Sequence, residues 1–280
     1  MATRTPRPIS LALQGGGSHG AFTWGVLDRL LEDGRLEIDG ISGTSSGAMN
    51  AVALADGLVA GGREAARERL SALWTAVGES AAEIFAPSLA LSAGTSSLDV
   101  PPGLSAYLDL AQVLSPAALN PLGVNPLRHI LTSVFDFERL RAADSPRVFV
   151  SATQLRTGKL RVFRNDELSV EVLLASACLP ALHHTIEIDG EPYWDGGYSG
   201  NPTVFPLVFN CEAADVVVVL VQPLRRESVP TTVDAIRERV AELAFNGSFM
   251  REMRAIATSK SHIGPGRPAT GPLEGRLQRL

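Results

Sequence analysis

A chain of 280 residues that is 45% hydrophobic and 20% charged is long enough to bury one large core and too apolar to be disordered. Its formal net charge of −5 leaves no basic stripe for nucleic acid, so no nucleic-acid partner is expected. Two distant cysteines, Cys178 and Cys211, support neither a disulfide framework nor a metal site. The apolar run at 9–13 is too short for a signal-peptide core, which predicts a cytoplasmic chain. No stretch has the roughly 18 consecutive apolar residues of a spanning helix.

Residues 9–14 form a predicted strand that ends in three glycines, and 21–32 then carry Phe22, Val26, Leu27, Leu30 and Leu31 at helical spacing. The unit repeats at once, with a strand at 38–41, a turn at 43–47 and an alanine-rich helix at 48–58. Two strand–turn–helix units in series predict an α/β fold with a mostly parallel sheet. A further helix at 62–77 sets Arg63, Glu64, Arg67, Glu68 and Arg69 on a solvated side, opposite Leu70, Leu73 and Val77. From 80 to 126 the composition shifts to Ala, Ser, Leu and Pro with few charges, as in an inserted cap.

Pattern returns at 147–155, where Val148, Val150 and Ala152 alternate with other residues, and Thr157-Gly158 turns that strand into 159–163. A small helix at 169–177 is stopped by Pro180. A second hairpin spans 185–194 around Asp189-Gly190 and delivers Asp195-Gly196-Gly197 at its end. The valines within 215–221 predict a fully buried strand. Residues 232–258 are predicted helical, and the glycines and prolines beyond them forbid regular structure.

Three glycine-bearing segments carry chemistry. Gly43-Thr44-Ser45-Ser46-Gly47 fits G-x-S-x-G between a strand and a helix, where the serine sits on a strained turn and Gly43 and Gly47 let strand and helix converge. Ser45 is thus a candidate nucleophile, at a helix N-terminus whose dipole favours negative charge on its oxygen. Gly15-Gly16-Gly17-Ser18-His19-Gly20 also follows a strand and opens a helix, which leaves backbone N–H groups free to meet an anion. A dinucleotide role would need a ribose-binding acid about 20 residues on, at the end of a second strand. Asp39 lies there, but the chain then runs directly into the Gly43 motif. No Lys-Ser or Lys-Thr closes the segment as a phosphate loop. One parallel strand from Ser45, the N–H groups of Gly16, Gly17 and Ser18 fit an oxyanion hole better.

A serine nucleophile also needs a base. Of His19, His129, His183, His184 and His262, only His262 follows Asp195 as the order Ser, Asp, His requires, and it lies in the Gly/Pro-bounded tail. Asp195 is the better base, because desolvation beside Tyr193 and Trp194 raises a carboxyl pKa toward a useful range. A carboxylate needs no third group to fix a tautomer. Taken alone, Asp195-Gly196 is equally a plain turn, as Asp189-Gly190 is.

In this order and spacing the three segments resemble the motifs of patatin-like phospholipases, and 175–180 resembles the small-residue segment that precedes the third motif there. The resemblance implies a three-layer α/β/α sandwich with a mostly parallel central sheet and an inserted cap. It implies a Ser45–Asp195 dyad, an oxyanion hole from the glycine-rich motif, and hydrolysis of lipid esters with no metal or organic cofactor. The catalytic domain would span 1–222, including the cap at 80–126, with a helical tail over 223–280. Gly15, Gly16, Gly17, Ser18 and Gly20 would form the first motif, Gly43 and Gly47 would flank the nucleophile, and Gly196 and Gly197 would follow the base.

Two departures stand out. His19 occupies a position where many relatives carry Arg or Lys, and the region after the valine strand is short, its end resembling a linker with no element after it. The expected partner is a lipid ester substrate, with transient membrane-surface contact through an apolar rim at 80–126 that includes Leu89, Leu91 and Leu98. A soluble esterase, a thioesterase or a polyester depolymerase would use the same dyad. A non-catalytic module that binds lipid or a partner protein is the alternative from another class.

Overall fold

The computed structural model describes residues 6–91, 114–143 and 146–263, with the backbone alone at 83–91 and 262–263. Strand β1 (Arg7–Leu13) leads through a glycine turn into α1 (Gly20–Asp33), and β2 (Leu36–Thr44) leads directly into a long helical stretch, Ser46–Leu91. Gly61 and Gly62 break that stretch into α2 (46–60) and α3 (63–91). Short helices α4 (Pro116–Leu119), α5 (Pro126–Val134) and α6 (Phe137–Arg141) precede β3 (Arg147–Gln154). Then follow β4 (Leu160–Phe163), α7 (Val170–Ser176), β5 (Ile186–Ile188), β6 (Glu191–Asp195), α8 (Phe205–Asn210), β7 (Asp215–Val219) and α9 (Val233–Ile263).

The strands form one sheet in the order β5-β6-β3-β2-β1-β7, with β4 also paired to β3. Its centre is parallel, since β2 pairs with β1 and β3, and β7 with β1. The additions at the β3 side are antiparallel. Side chains alternate along each strand and so feed two cores. Leu11, Leu13, Val148, Val150 and Ala152 join the larger core with α1, α2, α3, α5 and α7. Ala12, Phe149, Val216 and Val218 join the smaller one beneath α8 and α9, where Phe249 is buried. These are the three layers of an α/β/α sandwich.

Helix α2 is central because it is apolar nearly all round, with Ala48, Ala51, Val52, Ala53, Leu54 and Ala55 all buried. The segment expected as a tail supplies, through α9, part of the second helical layer. Two sequence expectations differ from the structure. The helix expected to end at Val77 continues to Leu91, into the stretch expected as cap. Residues 92–113, with Leu98, lie outside the described residues, as do the side chains of Leu89 and Leu91. The valine strand β7 is also not fully buried. It pairs only with β1 at the edge of the sheet, so Val216 and Val218 pack beneath α9 while Val217 is partly exposed.

Phe249 is the main apolar anchor of α9. Phe249→Ala should lower unfolding stability by about 3–5 kcal/mol, read as a lower urea midpoint with an unchanged slope.

Candidate active site

Ser45 sits between the last residue of β2 and the first of α2 with φ of 55°, a left-handed conformation that a residue with a side chain holds only under strain. Its carbonyl accepts from the amides of Ala48, at 2.9 Å, and Met49, at 3.2 Å, so it caps α2. Its own N–H donates to Ser176 Oγ at 2.8 Å, and that hydroxyl donates to the Ser151 carbonyl at 2.7 Å. The elbow is therefore tied to both α7 and β3. Gly47 is required by close approach: a Cβ there would lie 2.2 Å from the Leu13 carbonyl oxygen. Gly43, in β2, packs directly on the Gly47 backbone.

The first glycine motif lies alongside. Gly15 donates its N–H to Asn201 Oδ1 at 2.7 Å, and Gly16 donates to Ser46 Oγ at 3.1 Å. A single 3-10 turn, Gly17–His19, then leads into α1 at Gly20. Gly17 needs its glycine because its φ is 59°. Within the turn the bonds run from His19 N–H to the Gly16 carbonyl and from Gly20 N–H to the Gly17 and Ser18 carbonyls. The amides of Gly17 and Ser18, as the first donors of the turn, have no acceptor in it. Asn50 joins this loop to α2, donating to the Gly20 carbonyl at 3.0 Å and to the Ser46 carbonyl at 3.1 Å.

Asp195 ends β6 and is fully buried. Register brings it to Ser45: on β3, Ser151 is the partner of Thr44 and the next residue, Ala152, is the partner of Asp195. The Asp195 carboxylate accepts the Gly197 N–H at 2.7 Å and lies near enough to Ser45 for the serine side chain to favour its charged form. Its backbone is pinned as well, with its N–H on the Cys178 carbonyl and its carbonyl on Thr153 Oγ1, both at 2.8 Å. Gly196 packs on the Ser151 carbonyl, and Gly197 lies against the ring of Phe245 from α9.

The other buried carboxylates among the described residues are paired with arginine. Asp56 pairs with Arg69 and Arg139, and Glu242 with Arg226 and Arg239. Asp195 has no ion pair among the described residues. Burial pushes its pKa up to about 6, against the opposing effect of the Gly197 N–H and the Ser45 side chain. A buried, unpaired carboxylate on a strained serine can accept the serine proton, and unpaired amides at the neighbouring glycine turn can receive negative charge.

Sequence reasoning did not find several residues that hold this arrangement. Gln14 donates to Asn246 Oδ1 at 2.6 Å, and its Oε1 accepts from Val221 and Gln222 N–H at 2.8 and 2.9 Å. Asn201 carries no local signal, and Ser176 lies in the 175–180 segment with no role of its own read for it. Gln14 has one signal, a polar residue closing an otherwise apolar strand. No histidine among the described residues hydrogen-bonds Ser45 or Asp195. His19 contacts the Gly16 carbonyl at 3.0 Å, His184 contacts the Asn120 carbonyl at 2.7 Å, and the His262 side chain lies outside the described residues. Cys178 and Cys211 are free thiols, and the described residues form no cluster that could hold a metal ion.

No curated protein matches this sequence. Among solved structures, VipD from Legionella pneumophila is similar at 15% identity and a TM-score of 0.43. The match covers 99% of this chain but 59% of VipD, so the chain spans less than two thirds of that protein's length. The family model described as patatin-like phospholipase matches residues 11–208, a span that runs from β1 into α8 and contains all three glycine-bearing motifs. By that match, the chain belongs to the patatin-like phospholipase family.

Proposed function

We propose that the chain hydrolyses carboxylic esters of lipids through a Ser45–Asp195 dyad and an oxyanion hole in the glycine turn. The observation that carries this reading is a fully buried carboxylate with no ion pair among the described residues, set beside a serine with positive φ. Asp195 takes the Ser45 Oγ proton as Oγ bonds to the ester carbonyl carbon. The oxygen that becomes negative is held by the N–H groups of Gly17 and Ser18. Gly16, whose N–H is engaged by Ser46 in this structure, aligns the turn. Asp195 then gives its proton to the departing alkoxide, leaving an acyl-serine. Water, deprotonated by Asp195, attacks that acyl group and releases the carboxylic acid, and the proton returns to Ser45. The site residues need no metal or organic cofactor for these steps.

Ser45→Ala should lower turnover of short-chain nitrophenyl esters by about a thousandfold or more, with unchanged thermal unfolding. Equal rates in the parent and the variant would remove Ser45 from the mechanism.

The pH profile follows from the raised pKa. Asp195 must be deprotonated to accept a proton, so kcat/KM should climb through about pH 6 and level off above it. Below that point it should fall about tenfold per pH unit. A flat profile from pH 5 to 8 would contradict a base with this pKa.

The same carboxyl group has a stability consequence. Because it binds its proton more tightly folded than unfolded, the stability it contributes is full below about pH 4 and is lost as pH rises through about 6. The rise from the ordinary carboxyl value to about 6 corresponds to about 3 kcal/mol. Asp195→Asn, which keeps an acceptor for Gly197, should therefore abolish hydrolysis yet melt at a higher temperature than the parent near pH 8. Thermal unfolding of both proteins should show that gap shrink toward pH 4.

A further inference from the structure

Helix α9 carries an apolar stripe that no element packs on among the described residues. Val233, Ile236, Val240 and Leu243 recur at three- and four-residue spacing, Met250 follows two turns on, and all are exposed, Val240 by 60% and Leu243 by 56%. The buried side of the helix is a different one. It holds Phe249, Met253 and Ile256 against the sheet, Asn246 on Gln14, and Glu252 on the N–H groups of Val204 and Phe205. Apolar residues therefore extend well beyond what the fold uses.

The charges on α9 are sorted around that stripe. At about 100° per residue, Arg251 and Arg254 fall on the side of the stripe and Arg237 at its border, while Asp234 and Glu238 fall on the far side. All three arginines are exposed; Arg237 pairs loosely with Asp234 at 4.0 Å, whereas no ion pair among the described residues engages Arg251 or Arg254. In a molecule of net charge −5 this is a local reversal of sign.

The opposite side of α9 meets the candidate active site. Two residues along from Leu243, and so on the inner side of the helix, Phe245 lies against Gly197 and packs on Tyr198 with ring centroids 5.1 Å apart. Tyr198 and Trp194 follow with ring centroids 6.5 Å apart. A ladder of aromatic rings thus ties the helix that bears the stripe to the neighbours of Asp195.

We propose that this outer face of α9 docks on an anionic lipid surface, with the Ser45–Asp195 site coupled to the helix from its inner side. The choice of a lipid partner rests on the lipid-ester reading above. An apolar stripe bordered by arginine and free of carboxylates is complementary to anionic headgroups over acyl chains. It is poorly suited to a second copy of the chain. The stripe covers too few heptads for a coiled coil, and antiparallel pairing about a two-fold axis would set Arg237 toward its partner's Arg251 and Arg254.

The test uses the intact chain with Ser45→Ala, so that vesicles are not consumed, floated with phosphatidylcholine vesicles or with mixed phosphatidylcholine–phosphatidylglycerol vesicles. Strong binding is expected only to the mixed vesicles. Val240→Ser with Leu243→Ser should weaken it about tenfold or more, and Arg251→Ala with Arg254→Ala should remove the preference for phosphatidylglycerol. With Ser45 restored, both pairs of substitutions should leave hydrolysis of a dissolved short-chain ester unchanged, which shows that the fold is intact. Failure to bind mixed vesicles, equal binding by parent and variants, or a concentration-dependent dimer that the substitutions dissociate would each overturn the proposal. Vesicle binding without any ester hydrolysis by the Ser45 chain would support the docking surface and sink the catalytic reading instead.

Discussion

The register of β3 is the constraint on which the rest of the site depends. Its first residues pair with β2 in parallel and its last with β6 in antiparallel, and the change falls between Ser151 and Ala152. Thr44 and Asp195 thereby become partners of adjacent residues. A slip of one residue in either pairing would turn every side chain of that strand to the opposite face, carrying Asp195 or the elbow out of reach. Two separate structural commitments guard against such a slip. Val148, Val150 and Ala152 are buried on one face and Phe149 on the other, so β3 itself cannot move without exposing apolar groups. Ser176 fixes the remaining freedom by joining the Ser151 carbonyl to the Ser45 N–H.

This geometry has energetic costs, and the structure offsets them with packing. Ser45 is held at positive φ, and Asp195 is buried without a cation, each a destabilising condition on its own. The parallel strands and the all-round apolar α2 supply the rigid frame that keeps both in place. Helix α9 contributes through Asn246, Phe245 and Glu252, which reach Gln14 at the start of the glycine turn, the Asp195 loop and the start of α8 respectively. The active-site loops are thus clamped between the two helical layers of the sandwich.

Much of this was legible in the sequence, for a definable reason. The glycine turn, the serine elbow and the Asp-Gly-Gly segment are each local, set by the backbone demands of a few consecutive residues, and the strands that carry them show clear patterning. The length of α3 was not legible, because the alanine and serine beyond Val77 carry no amphipathic period and were assigned to a cap by their lack of charge. The edge position of β7 was hidden because valines on both faces look the same whether or not a neighbour strand follows. The polar network was the least visible part. Gln14 lies 187 residues from Asn201 and 232 from Asn246, two of its hydrogen-bond partners, and no local pattern distinguishes the asparagines from ordinary surface amides.

That network has a consequence for the electrical character of the site. Gln14 Oε1 is committed to two backbone N–H groups, which fixes its NH2 toward Asn246 and, in turn, fixes which atom Asn246 presents to it. Gln14, Asn50, Asn201 and Asn246 are all carboxamides, so the buried polar bonds around the glycine turn are made without adding a charge. Among the described residues, Asp195 is then the one buried carboxyl group beside Ser45. In the proposed mechanism the interior of the site acts as a one-proton vessel: a proton lifted from the serine has a single buried resting place, and the leaving group is the next base it meets.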